Sequence, residues 1–308
     1  MVDLKLIHVA WSLAGTKARR ACEEFLLDVF GAETAHEILM SPERVGTGTA
    51  REESLLVVGN TMLIPIAAME NATGADETIA KMLEFHARSG MWIGIAVRVE
   101  NLAEADRWCT SLGFACKYQP GMQDIYFVLD RNATLGMRIE FLGIDLPNDP
   151  RVRADWDATW WRDHHPLGIE GLQSVGVSVE SLDQARDLFA GKFGFREIGR
   201  RRLEDEPADC ASFLIGDCIA EAMCATKPDS VLAQHARDIQ GLYCITFKVK
   251  SLKAAADYLR GKGLRLVGDP KHRFMIDPDQ AFSRRIYFSE ERIPGDPRVD
   301  FGSLAGRG

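Results

Sequence analysis

The sequence predicts an α+β fold made of four copies of one βαβββ module, chiefly because one strand–helix junction recurs along the chain. In three places a Val is followed three residues later by Leu and six residues later by Ala. A glycine ends each segment, and an apolar residue follows it. The junctions are Val99–Leu102–Ala105, Val179–Leu182–Ala185 and Val249–Leu252–Ala255, and the glycines are Gly113, Gly194 and Gly263. Such internal repeats indicate tandem copies of one structural unit.

Each junction has the features of a strand that passes into a helix. The segments IAVRV, VGVSV and ITFKV alternate as strands do, and an Asn or Ser that can cap a helix N-terminus follows each of them. About three turns of apolar residues at helical spacing come next, and the glycine then suits a left-handed C-terminal stop. The N-terminus repeats this pattern loosely, with LIHVAWSL as the strand, Thr16–Phe30 as the helix and Gly31 as the stop.

Strand-like segments follow each helix and complete the modules. They are DIYFVLD and GMRIEFLG in the second copy, ASFLIG and CIAEAMCA in the third, and RRIYFSE in the fourth. Residues 76–88 and 231–239 are predicted to be helical connections between modules. We expect two domains, residues 1–145 and 170–308, joined by a linker over residues 146–169 that packs down through its tryptophans.

The composition is typical of a soluble globular protein, with 46% hydrophobic and 27% charged residues. The net charge of −8 argues against a nucleic-acid partner, which needs a basic surface. The one dense basic run, Arg200–Arg202, is followed by acidic residues and is interpreted as a solvated hairpin or loop. Seven cysteines without a CxxC motif favour a reducing compartment. With no signal peptide and no apolar run of the roughly 18 residues that span a membrane, we expect a cytoplasmic protein without membrane partners. A homodimer is left open.

This organisation resembles the vicinal oxygen chelate superfamily, which includes glyoxalase I, methylmalonyl-CoA epimerase, extradiol dioxygenases and bleomycin-resistance proteins. Methylmalonyl-CoA epimerase-like proteins are nearest in layout. In both MLEFHARSGMWIGIAVRVENL and AQHARDIQGLYCITFKVKSL a helix ending in Gly leads into the next first strand. The resemblance covers nearly the whole chain and implies two tandem domains. Each would pair two modules into a cup-shaped, eight-stranded mixed sheet, with helices on the convex face and a divalent metal on the concave face.

The resemblance also implies positions for metal ligands, a His in the first strand of a module and a Glu in its last strand. The first-strand positions are His8, Gly94, Ser174 and Cys244, and the last-strand positions are Pro65, Glu140, Glu221 and Tyr287. His8 and Glu140 are the one His–Glu combination among them, and both belong to the first cup. The expected cofactor is therefore at most one divalent metal (Fe, Zn, Mn, Co or Ni) on this incomplete pair, and otherwise none. An oxygen-activating iron site needs two imidazoles and a carboxylate, which neither cup supplies from these positions.

The first cup is therefore the predicted site, with Glu140 and His8 as catalytic residues. The predicted substrate-binding residues are Arg98, Arg138, Trp92 and Tyr126. Arg98 and Arg138 occupy alternating strand positions that place them on the predicted cup face, where they can neutralise an anionic substrate. Small neighbours such as Gly94 are expected to leave room for it. The alternative is that His8 is a core histidine and that Glu140 pairs with an arginine inside a filled core. The second cup is expected to be mainly structural or regulatory and to hold no transition metal.

The leading functional hypothesis is a small-molecule enzyme of this superfamily, with lyase or isomerase chemistry through an enolate or oxyanion in the N-terminal cup. A carboxylate such as Glu140 would then move the proton, either beside a metal or as a metal-free base. The alternatives are a non-catalytic binding protein of the bleomycin-resistance type and a dioxygenase-like protein with a non-standard metal site. In each case the partner is a small-molecule substrate or ligand.

Overall fold

Two eight-stranded sheets form the protein in the computed structural model, which describes residues 2–40, 51–68, 85, 92–119, 121–146 and 148–298. The first lobe holds the first sheet. Its elements are β1 (Lys5–Leu13), α1 (Gly15–Phe30), β2 (Glu33–Met40), β3 (Arg51–Val58), β4 (Thr61–Ala68), β5 (Trp92–Arg98), α2 (Leu102–Ser111), β6 (Cys116–Lys117), β7 (Tyr126–Leu129) and β8 (Arg138–Leu142), with a 3-10 turn at Arg131–Ala133.

The second lobe repeats this element order after a short connection that contains a 3-10 turn (Pro150–Val152) and α3 (Trp160–Asp163). Its elements are β9 (Ile169–Val179), α4 (Leu182–Arg186), β10 (Arg196–Leu203), β11 (Ala208–Ile215), β12 (Cys218–Ala225), α5 (Val231–Asp238), β13 (Gly241–Val249), α6 (Leu252–Gly261), β14 (Leu266–Asp269), β15 (Arg273–Ile276) and β16 (Arg285–Ser289). A π-helical stretch, Asp187–Lys192, continues α4, and a 3-10 turn covers Pro278–Gln280.

Both sheets have the same strand order, which confirms the α+β fold with four βαβββ modules in two mixed sheets. The first order is β2-β3-β4-β1-β5-β8-β7-β6, and the second is β10-β11-β12-β9-β13-β16-β15-β14. In each sheet the first strands of two modules pair antiparallel at the centre, as β1 with β5 and as β9 with β13. Each first strand also pairs parallel with the last strand of its own module, as β1 does with β4.

The predicted helix boundaries are confirmed by their caps. The side chains of Asn101, Ser181 and Ser251 accept hydrogen bonds from backbone N–H groups in the first turns of α2, α4 and α6. The glycines that follow the module helices all have positive φ, between 59° and 81°. A residue other than glycine is strained at such positive φ values. These glycines are Gly31, Gly113, Gly194 and Gly263.

The two lobes share one hydrophobic core on the sheet faces that carry the module helices. Phe30 of α1 packs against Phe247 of β13 at a ring separation of 5.9 Å. Trp108 of α2 lies 5.8 Å from Phe193 of the second lobe. A buried hydrogen bond also links the lobes, because Arg284 Nη2 donates to the carbonyl of Ser12 at 2.6 Å. The helices of both lobes therefore contribute their buried sides to this core.

The connections between modules match the sequence predictions where the structure describes them. The helix predicted over residues 231–239 is present as α5. The helix predicted over residues 76–88 lies outside the described residues, apart from position 85. In the predicted linker, Trp161 is buried and its Nε1 donates to the carbonyl of Phe30 at 3.0 Å. Among the described residues no helix is long and apolar enough to cross a membrane.

Replacing Ala185 by Leu tests the close approach of α4 to its sheet. Ala185 is fully buried, and α4 lies over β9, β11 and β12. The extra methylene and methyl groups have no room there, so we expect the free energy of unfolding to fall by about 1–3 kcal/mol. The neighbouring exposed residue gives the control, because Gln184→Leu should change it by less than about 0.5 kcal/mol. Equal urea midpoints for the two variants would show that Ala185 does not face the sheet.

Candidate functional site

The sheet face opposite the module helices forms the cup of each lobe. In the first cup, Ala10 of β1 packs with Leu55, Val57 and Ile64 in a cluster separate from the shared core. Ala96, Tyr126 and Leu142 form a second cluster on the β5–β8 side. His8 and Glu140 lie on this same face by the period-2 alternation of their strands.

His8 and Glu140 lie in one cross-strand row at the centre of the first cup. His8 pairs with Ala96 of β5, and Ala96 pairs with Glu140 of β8. Two strand spacings, roughly 10 Å, therefore separate their backbones, and the small Ala96 lies between them. The pairing of modules 1 and 2 thus brings the two predicted catalytic residues onto one surface.

His8 is a buried, neutral imidazole. It is 8% exposed, and its Nδ1 has no hydrogen-bond partner among the described residues. Burial, reinforced by the positive charges of Arg151, Arg138 and Arg51, lowers the pKa of His8 to about 3. The ring therefore carries one proton at neutral pH and keeps a nitrogen free for a ligand.

Glu140 is a carboxylate that its neighbours do not fix. Burial raises the pKa of Glu140, while the positive charges of Arg138 and Arg51 oppose that rise. Arg138 Nη2 is 3.5 Å from Glu140 Oε2, at the outer limit of a hydrogen bond, and 19% of the Glu140 side chain is exposed. A carboxyl group with a raised pKa and free oxygens is suited to accept a proton near neutral pH.

Arg51 and Glu53 of β3 complete the polar part of the cup, and the sequence analysis missed both. They pair with each other, and each contributes to the electrostatics of Glu140. The alternation of REESLLVV places the two side chains on one face of a strand. The sheet order decides which strands lie next to β3. The sequence alone could therefore not place Arg51 and Glu53 near Glu140.

Of the predicted substrate-binding residues, Arg138, Tyr126 and Arg98 lie on the cup face, whereas Trp92 does not. Tyr126 is buried in the cup and donates to Gln119. Trp92 lies in the core shared by the lobes, edge-on to Trp11, and donates to the Tyr243 carbonyl at 3.1 Å. The guanidinium of Arg98 is engaged locally, since its Nε donates to Asp145 Oδ1 at 3.1 Å and its Nη1 donates to the carbonyl of Val99. We therefore leave Trp92 and Arg98 out of the candidate site.

Two aligned ligand positions are also displaced from the His8–Glu140 row, because the strand register pairs His8 with Ala96 and Met62 instead. Gly94 pairs with Ala10, and a Cβ at position 94 would collide with the carbonyl of Arg138. Gly94 thus permits close strand packing and does not provide ligand volume. Pro65 pairs with Trp11, whose side chain lies in the shared core, so Pro65 faces away from the cup.

The residues of the first cup do not fit a divalent metal. No group of three or more His, Cys, Asp or Glu side chains within the described ranges is placed to hold one. Three arginines, Arg51, Arg138 and Arg151, act on His8 with positive charge, which repels a cation. Each of these arginines has an acidic partner, Glu53, Glu140 and Asp149 respectively, so an anionic ligand would compete with those carboxylates for them.

The second cup contains the other four aligned positions, and its acidic residue is used internally. Arg201 holds Glu221 side-on, with Nε–Oε1 at 2.6 Å and Nη2–Oε2 at 2.8 Å, and Glu221 is 1% exposed. The basic run was interpreted as a solvated hairpin or loop, but it lies within β10 and turns Arg201 toward the cup. Tyr287 donates to Glu206 at 2.5 Å. Ser174 and Cys244 are buried on the same face.

The acid sensitivity of the fold tests the neutral state of His8. Its pKa in the folded protein is below the ordinary value of 6.5, so the stability it contributes is present above about pH 6.5 and is lost as the pH falls toward 3. In that window the free energy of unfolding should fall by about 1.4 kcal/mol per pH unit more in the natural protein than in His8→Gln. Urea titrations between about pH 6 and pH 4 measure the difference. His272→Gln, at an exposed histidine, is the control. If the free energy of unfolding depends on pH in the same way in the natural protein and in His8→Gln, folded His8 is not held neutral.

Comparisons with known proteins agree with the lobed architecture. Residues 173–282 match the family model described as Glyoxalase/Bleomycin resistance protein/Dioxygenase superfamily. A triple mutant of 4-hydroxymandelate synthase from Streptomyces coelicolor superposes with a TM-score of 0.64 and 13% identity, over 98% of this chain and 96% of that one. Methylmalonyl-CoA epimerase from Mycobacterium tuberculosis gives a TM-score of 0.37 and 22% identity over 41% of this chain and 90% of its own. No curated protein sequence matches the chain.

At 13% identity the likeness to 4-hydroxymandelate synthase shows the fold alone, and its activity does not transfer to this chain. The family match covers the second lobe, and the first lobe repeats its element and strand order. Residues 173–282 therefore match the glyoxalase/bleomycin resistance/dioxygenase superfamily, and the chain as a whole consists of two lobes with the same strand order.

Proposed function

We propose that the first cup is the active site of a metal-free lyase or isomerase that acts on a small carboxylate-bearing carbonyl compound through an enolate. The observation that carries this proposal is the state of Glu140. Its carboxyl group has a raised pKa and only a long, partly solvated ion pair with Arg138 at 3.5 Å, and it shares a row with the neutral imidazole of His8. Structural carboxylates are more commonly bound tightly, as Glu221 is in the second cup.

The chemistry divides among the residues of the cup. Glu140 takes a proton from the carbon next to the substrate carbonyl, and the electron pair of that C–H bond moves to the carbonyl oxygen. Arg138 and Arg51 stabilise the resulting oxyanion and the substrate carboxylate. Return of the proton to carbon gives an isomerase, whereas loss of a leaving group from the neighbouring carbon gives a lyase.

His8 has a positioning role in this scheme. Because it is neutral, it can hydrogen-bond to the substrate oxygen without adding another positive charge to the arginines. Its Nδ1 is buried without a hydrogen-bond partner among the described residues. On the same strand, Trp11 Nε1 and Ser12 Oγ are also buried without one. A bound substrate would satisfy the Nδ1 of His8.

A second candidate function is ligand binding without turnover. The half of the first cup over β3 and β4 is apolar, with Leu55, Val57, Met62, Ile64 and Ile66 clustered together. Such a surface binds an apolar or aromatic body well without any chemical step. The two functions differ in whether Glu140 moves a proton.

The substitution Glu140→Gln separates the proposed roles. A small panel of 2-oxo acids is incubated with the protein in D₂O, and loss of the proton signal next to the carbonyl is followed by NMR. The natural protein should exchange that proton for at least one compound, and Glu140→Gln should lower the rate by about 100-fold or more. Its stability should change by less than about 1 kcal/mol, because the pair with Arg138 is partly solvated.

The matched control is Glu221→Gln in the second cup. This change leaves the guanidinium of Arg201 without its buried partner, so we expect a loss of about 3–5 kcal/mol in the free energy of unfolding. The folded fraction should keep its exchange activity. If Glu140→Gln is as destabilising as Glu221→Gln while exchange persists, Glu140 is structural. If ligands raise the melting temperature and no proton exchanges, the binding function stands instead.

A further inference from the structure

The guanidinium of Arg273 in the second cup has an empty hydrogen-bonding edge. Arg273 lies on β15 and is 4% exposed. Its Nη1 donates to Asp205 Oδ2 at 3.1 Å, but its Nε and Nη2 have no hydrogen-bond partner in the described parts of the chain. Nε–H and the neighbouring Nη2–H form the side-on fork of arginine, which matches the two oxygens of a carboxylate.

The same cup shows what a filled fork looks like. Arg201 uses its Nε and Nη2 to hold both oxygens of Glu221. Arg273 presents the same pair of donors, and Glu221 is already occupied. Buried donors of a charged group are rarely left without acceptors. The missing partner has the geometry of one more carboxylate.

Further unsatisfied polar groups lie on the floor of this cup. Ser174 and Thr246 face each other as directly paired residues of β9 and β13, and Thr246 also pairs with Tyr287. Both hydroxyl groups are buried without a partner within the described residues. The ring of Tyr287 lies 3.6 Å beneath the guanidinium of Arg273. Hydroxyl groups therefore lie near the arginine, on the face where a ligand would rest.

We propose that the second cup binds a small carboxylate with an apolar body through the side-on fork of Arg273. The apolar body would pack against the side chains that cluster on this face, Leu203, Met223, Leu232 and Tyr243. This site is separate from the first cup and does not depend on the chemistry proposed there.

The turn between β10 and β11, residues 204–207, closes the site. Its Asp205 holds Arg273, and its Glu206 accepts hydrogen bonds from Tyr243 at 2.8 Å and from Tyr287 at 2.5 Å. The two free donors of Arg273 are shut off from solvent in this arrangement. A ligand therefore enters when the turn opens, and its carboxylate competes with the acids of the turn for the same cationic and phenolic groups.

Calorimetric titration with benzoate tests the site, with neutral benzamide as the isosteric control. We expect benzoate to bind at least about tenfold more tightly than benzamide, since its hydrogen bonds to the guanidinium are charge-assisted. Arg273→Lys keeps the charge but loses the fork, so it should weaken benzoate binding by about tenfold or more. Asp205→Asn loosens the turn and leaves the fork intact, so it should tighten binding or speed association. Near-ultraviolet circular dichroism checks that each variant is folded.

The matched control is Arg202→Lys at an exposed arginine of β10, which should leave the benzoate affinity unchanged. Arg138→Lys reports any binding of benzoate in the first cup. If Arg138→Lys weakens binding and Arg273→Lys does not, the carboxylate occupies the first cup and the proposal is wrong. Tighter binding of phenylphosphate than of benzoate would overturn the assignment to carboxylates. Absence of benzoate binding at about 10 mM, in both the natural protein and Asp205→Asn, would overturn the site itself.

Discussion

The antiparallel pairing of first strands, β1 with β5 and β9 with β13, is the constraint on which the rest of the structure depends. A single module has four strands and one helix, and its central strand would be an open edge without a second module. The pairing closes that edge and aligns His8 with Ala96 and, through it, with Glu140. It does the same for Ser174 and Thr246 in the second lobe. Both candidate sites therefore straddle a joint between modules.

The module helices determine which sheet face remains available for a site. Each helix covers one face of its sheet, and the two lobes bury these faces against each other in one core. Phe30 and Trp108 make this packing specific through their rings. The opposite faces keep their own small clusters, and the polar side chains lie there. The helix-bearing faces of the sheets thus form the shared core, and the opposite faces hold the candidate sites.

Arginine–carboxylate geometry distinguishes the two cups. In the second cup Arg201 and Glu221 satisfy each other side-on, and burial makes that pair costly to disturb. In the first cup Arg138 and Glu140 are 3.5 Å apart and partly solvated, so the carboxyl group keeps its freedom. Arg273 represents a third state, a buried fork with two free donors. The same two residue types therefore form a tight buried pair, a long and partly solvated pair, and a buried arginine with two free donors, according to distance and burial.

The sequence by itself determined the modular fold, because its signals are local. The N-caps at Asn101, Ser181 and Ser251 and the left-handed glycines depend on a few adjacent residues, and each is present as predicted. The placement of His8 and Glu140 on one sheet face also followed from the sequence, because the alternation of their strands could be read directly and the resemblance supplied the pairing of modules; their catalytic role stays a prediction. The tertiary structure alone decided the surroundings of these residues. The strand register paired His8 with Ala96 and Met62 and not with Gly94 and Pro65, the sheet order brought the charge of Arg51 to bear on Glu140, and lobe packing placed Trp92 in the shared core. Those outcomes depend on contacts between residues far apart in the chain, which no local pattern records.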